Sequence, residues 1–142
     1  MRRLPVPLVP AWMRWGGVVT VAGLIFSLSV IFAPPEDPLV GPPEFVALDK
    51  WRHFLAYAAF GASLAYATAD WDRPRWYLAS LVVGVAVCYG MGIEAAQAML
   101  PERYFGWGDA TANAIGGLLV IPWFAVRPYL RLVRIQDLWA SE

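Results

Sequence analysis

Charge is scarce in this chain. Of 142 residues, 11 are Lys or Arg and 11 are Asp or Glu, a charged share of 15% where soluble domains carry about 25%. The formal net charge is zero, which removes any bulk electrostatic case for a nucleic-acid partner. There is one cysteine, Cys88, so no internal disulfide can form. With one histidine, His53, a Cys/His zinc cluster is excluded as well. Cys88 lies inside an apolar stretch and is expected to be a buried packing residue. No Gly-rich phosphate loop ends in Lys-Ser or Lys-Thr, and no Gly-x-Ser-x-Gly elbow occurs. Repeated aspartate spacing of the metal-dependent alcohol phosphotransferase kind is missing too. No cofactor and no metal site is expected.

Apolar residues are what the chain has, at 59% of the total. They fall in four stretches: about Gly16 to Phe32, His53 to Ala69, Trp76 to Leu100, and Ala110 to Val126. A spanning helix needs about 20 mostly apolar residues, with a lower limit near 17. The short links between the stretches leave no room for separate cores, so residues 1–142 form one domain. The expected fold class is all-α: a polytopic membrane protein, a bundle of four transmembrane helices in contact with the lipid bilayer. The first stretch is longer than a signal-peptide core, and bulky Ile31 and Phe32 precede the only cleavage-like site, so it is expected to be retained.

Arginine sets the expected orientation. Arg2, Arg3 and Arg14 precede the first stretch, Arg73 and Arg75 separate the second from the third, and Arg127, Arg131 and Arg134 follow the fourth. The other side has Lys50, Arg52 and Arg103 among Glu36, Asp37, Glu44, Asp49, Glu102 and Asp109. The positive-inside rule then puts both termini in the cytoplasm of a multi-pass cell-membrane protein. Trp12, Trp15, Trp71 and Trp76 would belt the inner interface, and Trp51 and Trp107 the outer one. Five prolines between Ala33 and Leu48 predict an extended outer connection. Arg127, Arg131 and Arg134, spaced i, i+4, i+7, predict either a short helix on the anionic inner surface or a solvated tail over 127–142. Three series of small residues spaced by four predict close helix packing: Gly84–Cys88–Gly92, Gly61–Ala65 and Ala112–Gly116. Pro122 is expected to kink the fourth helix.

The few polar residues inside the apolar stretches share one depth. Lys50, His53 and Tyr57 fall within about 60° on a helix that Asp49 opens. Glu94 and Gln97 share a face of the third helix, and Asp109 and Asn113 a face of the fourth. In lipid, the low-cost arrangement turns these stripes toward one another, with Lys50 and Arg103 neutralising Glu94 and Asp109. Each group alone has an ordinary explanation: His53 a hydrogen-bonded interface residue, Tyr57 core, Lys50, Arg52 and Arg103 interfacial anchors. Glu94 is harder to dismiss, because a carboxylate within a span costs about 2.5 kcal/mol or more unless compensated.

The ordered set Asp49-Lys50-Trp51-Arg52-His53 with Tyr57, Glu94-x-x-Gln97, Pro101-x-Arg103 and Asp109-x-x-x-Asn113-x-x-Gly116 resembles the VanZ-like membrane proteins. The resemblance covers about Asp49 to Gly117 in a motif-bearing core of about 49–126, and departs from the pattern at Glu102 and Gly106. The family is named for an accessory protein of teicoplanin resistance and carries no agreed biochemical activity. The resemblance implies functional positions at Asp49, Lys50, His53, Tyr57, Glu94, Gln97, Arg103, Asp109 and Asn113.

Two readings compete. In one, His53, Glu94 and Asp109 move protons in an outward-facing pocket. There Asp49, Lys50, Tyr57, Gln97, Arg103 and Asn113 hold an anionic lipid or lipid-linked headgroup. In the other, the polar layer is a structural clamp or docking site of a non-enzymatic envelope protein. Conduction by a single copy is not expected, since Leu64, Leu78, Leu81, Val82 and Leu118 interrupt any polar path. Oligomeric state is not legible in the sequence.

Overall fold

The structure, a computed structural model, describes residues 3–32, 48–101 and 103–135, with the backbone alone for Leu48 and Asp49. The proline-rich connection, Glu102, Trp139 and the side chain of Asp49 lie outside the described residues.

The chain is mostly helical. Strand β1 (Leu4–Leu8) leads into helix α1 (Ala11–Phe26), which continues as a π-helical turn, Ser27–Ile31. Helices α2 (Leu48–Ala67), α3 (Arg75–Gln97), α4 (Trp107–Leu118) and α5 (Ile121–Val126) follow, then a 3-10 turn, Arg127–Tyr129, and strand β2 (Leu130–Arg134). Pro10 and Pro74 stand just ahead of α1 and α3, where a residue without an N–H breaks no helical bond. Three segments are long and apolar enough to cross a membrane: Ala11–Ile31, Arg75–Gln97 and Trp107–Tyr129. Helix α2, with 20 residues, is of similar length, but Asp49, Lys50, Arg52 and His53 crowd its first turns. The six predicted belt tryptophans are all exposed. The hydroxyls of Thr20, Ser63, Thr68 and Thr111 donate to carbonyls one turn back.

Helix α4 is the hub, and consecutive glycines explain why. A Cβ on Gly116 would stand 2.7 Å from the Phe54 carbonyl oxygen of α2, and one on Gly117 would stand 3.1 Å from Ala86 Cβ of α3. The backbones of α2 and α4 therefore nearly touch, and Gly61, whose added Cβ would lie 3.3 Å from Val120 Cβ, extends the same seam. The predicted kink is present as a break after Leu118, where Pro122 cannot donate the next helical bond.

Several expectations fail. Gly84 and Gly92 have nothing within 4 Å and Cys88 is exposed, so that series forms no described contact. The packed face of α3 instead carries Leu78, Val82, Ala86 and Gly90. Of the tail, Leu130–Arg134 is neither a surface helix nor a free solvated segment but a strand. Pro128 ends the α-helical ladder, and Leu130–Arg134 pairs in parallel with Leu4–Leu8, Val6 lying opposite Leu132. Arg14, counted among the arginines that set the orientation, has a side chain only 2% exposed within α1.

That arginine locks one end of the bundle. Its two terminal nitrogens donate to the two carboxylate oxygens of Asp70, at 2.9 and 2.6 Å, and to the carbonyls of Tyr66 and Ala67. Arg127 donates to the carbonyls of Ala69 and Trp71. Arg14 thus meets the negative end of the α2 macrodipole, and Arg127 holds the turn that follows it. The Tyr66 hydroxyl donates to the Pro7 carbonyl and accepts from the Val9 N–H, anchoring β1 to α2. Arg14 holds the Asp70 carboxyl below its usual range, chiefly through the side-chain hydrogen bond.

Candidate functional site

The opposite end of the bundle gathers the polar residues. Helix α2 supplies Lys50, His53 and Tyr57, α3 supplies Glu94, and α4 supplies Asp109 and Asn113. Asp109 sits in the first turn of α4, where a carboxylate suits the positive end of the helix dipole. Lys50 Nζ donates to Asp109 Oδ1 in an ion pair between α2 and α4.

The buried members form a chain of bonds with a direction. Glu94 is 1% exposed, and its two oxygens accept from the Gly106 N–H and from Asn113 Nδ2, each at 3.2 Å. Asn113, also 1% exposed, therefore presents its carbonyl oxygen to His53 Nδ1 at 2.7 Å. An amide oxygen only accepts, so Nδ1 carries the ring proton. His53 Nε2 is left facing Asp109 Oδ1 at 3.6 Å. The order Glu94, Asn113, His53, Asp109, Lys50 spans three helices. Neutral His53 holds a proton-accepting Nε2 beside a carboxylate–ammonium pair; charged His53 is itself the partner of Asp109.

Glycines make this possible. A Cβ on Gly106 would lie 2.8 Å from Asp109 Oδ2 and 3.3 Å from Glu94 Oε2, so only glycine admits both carboxylates there. A Cβ on Gly90 would lie 2.9 Å from Asn113 Cβ and 3.1 Å from Tyr57 Cε1. Sequence reasoning marked Gly106 as a departure and passed over Gly90. The signal for both was glycine beside ionisable residues in an apolar setting.

Beneath the polar cup lies an aromatic floor. The rings of Tyr57, Phe60 and Tyr89 stand 4.9 to 6.5 Å apart, with Leu64, Leu78 and Val82 buried in the same core. Tyr57 is 1% exposed, and its hydroxyl has no hydrogen-bond partner among the described residues.

One expected member, Gln97, is tied elsewhere. Gln97 donates from Nε2 to the Ser29 carbonyl at 2.8 Å, tying α3 to the π-helical turn. Tyr89 makes a parallel tie to the Ala22 carbonyl at 2.7 Å. Arg103 lies half-buried in the connection between α3 and α4, its backbone N–H donating to the Leu100 carbonyl. Asp49 opens α2, its side chain outside the described residues. No metal-binding group of His, Cys, Asp and Glu occurs among the described residues. Set against known proteins, the chain matches no family model, no curated protein and no solved structure.

Proposed function

We propose that this is a VanZ-like integral protein of the cell membrane, with an outward-facing polar cup that binds or modifies an anionic lipid-linked or cell-envelope headgroup. In this reading α2 is a fourth span and both termini are cytoplasmic. At about 1.5 Å per residue, the 20 residues of α2 match a bilayer core of about 30 Å. The orientation rests on the arginines gathered at the end where Arg14 caps α2 and Arg127 holds the turn after it.

One observation carries the reading: Glu94 is buried within an apolar helix and wired through Asn113 to a histidine whose other nitrogen faces Asp109. Lys50 and Arg103 supply positive charge for the headgroup; His53, Glu94 and Asp109 exchange protons with it. Tyr57 offers a buried hydroxyl from below. Gln97 acts as a positioning residue through Ser29.

A second reading has its own support. The bonds Lys50–Asp109 and His53–Asn113 tie α2 to α4, and Asn113–Glu94 ties α4 to α3, as a purely structural clamp would. Glu94→Gln separates the two in a strain lacking the chain, with teicoplanin susceptibility as the first phenotype scored. The ligand reading expects lost complementation with insertion and melting temperature retained. The clamp reading expects both to fall together. Full complementation by Glu94→Gln would sink the acid–base role.

A further inference from the structure

A groove of about 270 Å³ opens between α2 and the α4–α5 break, lined by Ala58, Ala62, Tyr66, Leu119, Val120 and Trp123. Two causes create it. Ala58 and Ala62, spaced by one turn, leave the α2 wall without bulk, and the break after Leu118 bends the facing wall. From Ala58 to Tyr66 the groove follows α2 for about 12 Å at 1.5 Å per residue. Its volume suits a slender hydrocarbon chain better than a drug-sized molecule, whose pockets begin near 300 Å³.

Two residues of the lining carry polar groups, the Tyr66 hydroxyl, already bonded to Pro7 and Val9, and the Trp123 indole N–H. The Trp123 indole N–H is buried and has no hydrogen-bond partner among the described residues, although buried donors are nearly always satisfied. One helical turn further, about 6 Å along the axis, stands Arg127, with Arg131 and Arg134 exposed beyond it. Arg127 is already bonded to the Ala69 and Trp71 carbonyls, so it contributes field, as do Arg131 and Arg134, which leave opposite faces of β2. Hydrocarbon wall, lone N–H donor and arginines thus follow one another in the order acyl chain, ester carbonyl, phosphate.

We infer that this groove is a binding site for one anionic phospholipid, its acyl chain along Ala58 and Ala62, an ester carbonyl accepting from Trp123 Nε1, and its phosphate among the arginines. The site is separate from the polar cup; only its assignment to the cytoplasmic leaflet rests on the orientation proposed above.

Native mass spectrometry of the full chain, exchanged into detergent with dioleoyl phosphatidylglycerol or dioleoyl phosphatidylcholine, tests it. Wild type should keep one phosphatidylglycerol and release phosphatidylcholine of the same chain length. Ala62→Leu fills the groove and should abolish retention. Trp123→Phe should weaken it about fivefold, the equivalent of one neutral hydrogen bond. Equal retention of the two lipids, or unchanged phosphatidylglycerol retention in Ala62→Leu, would overturn the inference. Loss in Glu94→Gln with retention in both groove variants would move the lipid to the cup, refuting this site while supporting the proposed one. An unfolded Ala62→Leu is recognised by its melt, and Trp123→Phe together with the phosphatidylcholine arm then decides.

Discussion

Replacing Gly116 with alanine adds one methyl group at the tightest crossing in the molecule. That carbon would lie 2.7 Å from the Phe54 carbonyl oxygen, 2.9 Å from Tyr57 Cβ and 3.1 Å from Phe54 Cα. Two of the three neighbours are backbone atoms, which cannot rotate away, so the helices must separate by several tenths of an ångström. Overpacking of this kind costs about 1–3 kcal/mol, and alanine's better helix propensity returns about 1 kcal/mol. The top of the cost range applies, because separation also stretches the Lys50–Asp109 and His53–Asn113 bonds across the same seam. A net loss of about 2 kcal/mol should lower the melting midpoint by roughly 5–10 °C for a chain of this size. The assay is a thermal melt in mild detergent, with Gly84→Ala and Gly92→Ala as controls where nothing lies within 4 Å. Those two should melt at or slightly above wild type. If Gly116→Ala melts alongside them, the close approach of α2 and α4 is wrong and the cup built on it falls.

Three further outcomes are expected. The Arg14–Asp70 pair should be fully stabilising above about pH 4 and fade as pH falls through the lowered value for Asp70. Asp70→Asn should therefore lower the melt at neutral pH and flatten its acid limb; an unchanged limb would refute this. Cys88 should alkylate in detergent without unfolding, and Cys88→Ala should shift stability by less than about 0.5 kcal/mol. Slow alkylation that tracks unfolding would show burial instead. Tyr66→Phe removes the bridge to Pro7 and Val9, costing about 1 kcal/mol and speeding amide exchange at Val6 and Leu8. Unaltered exchange there would show that β1 is held by other means.

The cup was legible because lipid gives ionisable groups so few options. Lys50, His53, Glu94, Asp109 and Asn113 lie on three separate helices, and depth along each helix was enough to bring them together. Rotation about a helix axis was harder to read. On α3 the series Gly84–Cys88–Gly92 and Ala86–Gly90 both repeat every four residues on nearly opposite faces, and spacing alone selected the wrong one. Pairings across the chain were out of reach. Nothing local to Leu130–Arg134 announces Leu4–Leu8, and the basic spacing of 4 and 3, which suggested a surface helix or a solvated tail, left the strand unread. The Arg14–Asp70 pair was out of reach for the same reason, its members standing 56 positions apart.

The pairing of Leu4–Leu8 with Leu130–Arg134 also imposes an order of assembly. During synthesis the early segment exists without its mate until more than a hundred later positions have been added, so it cannot settle when the opening helix does. Tyr66 is available far sooner and can hold Pro7 and Val9 in waiting. The ribbon then works as a clasp shut last, and a protein halted before Leu130 would keep every helix described here yet leave that clasp open.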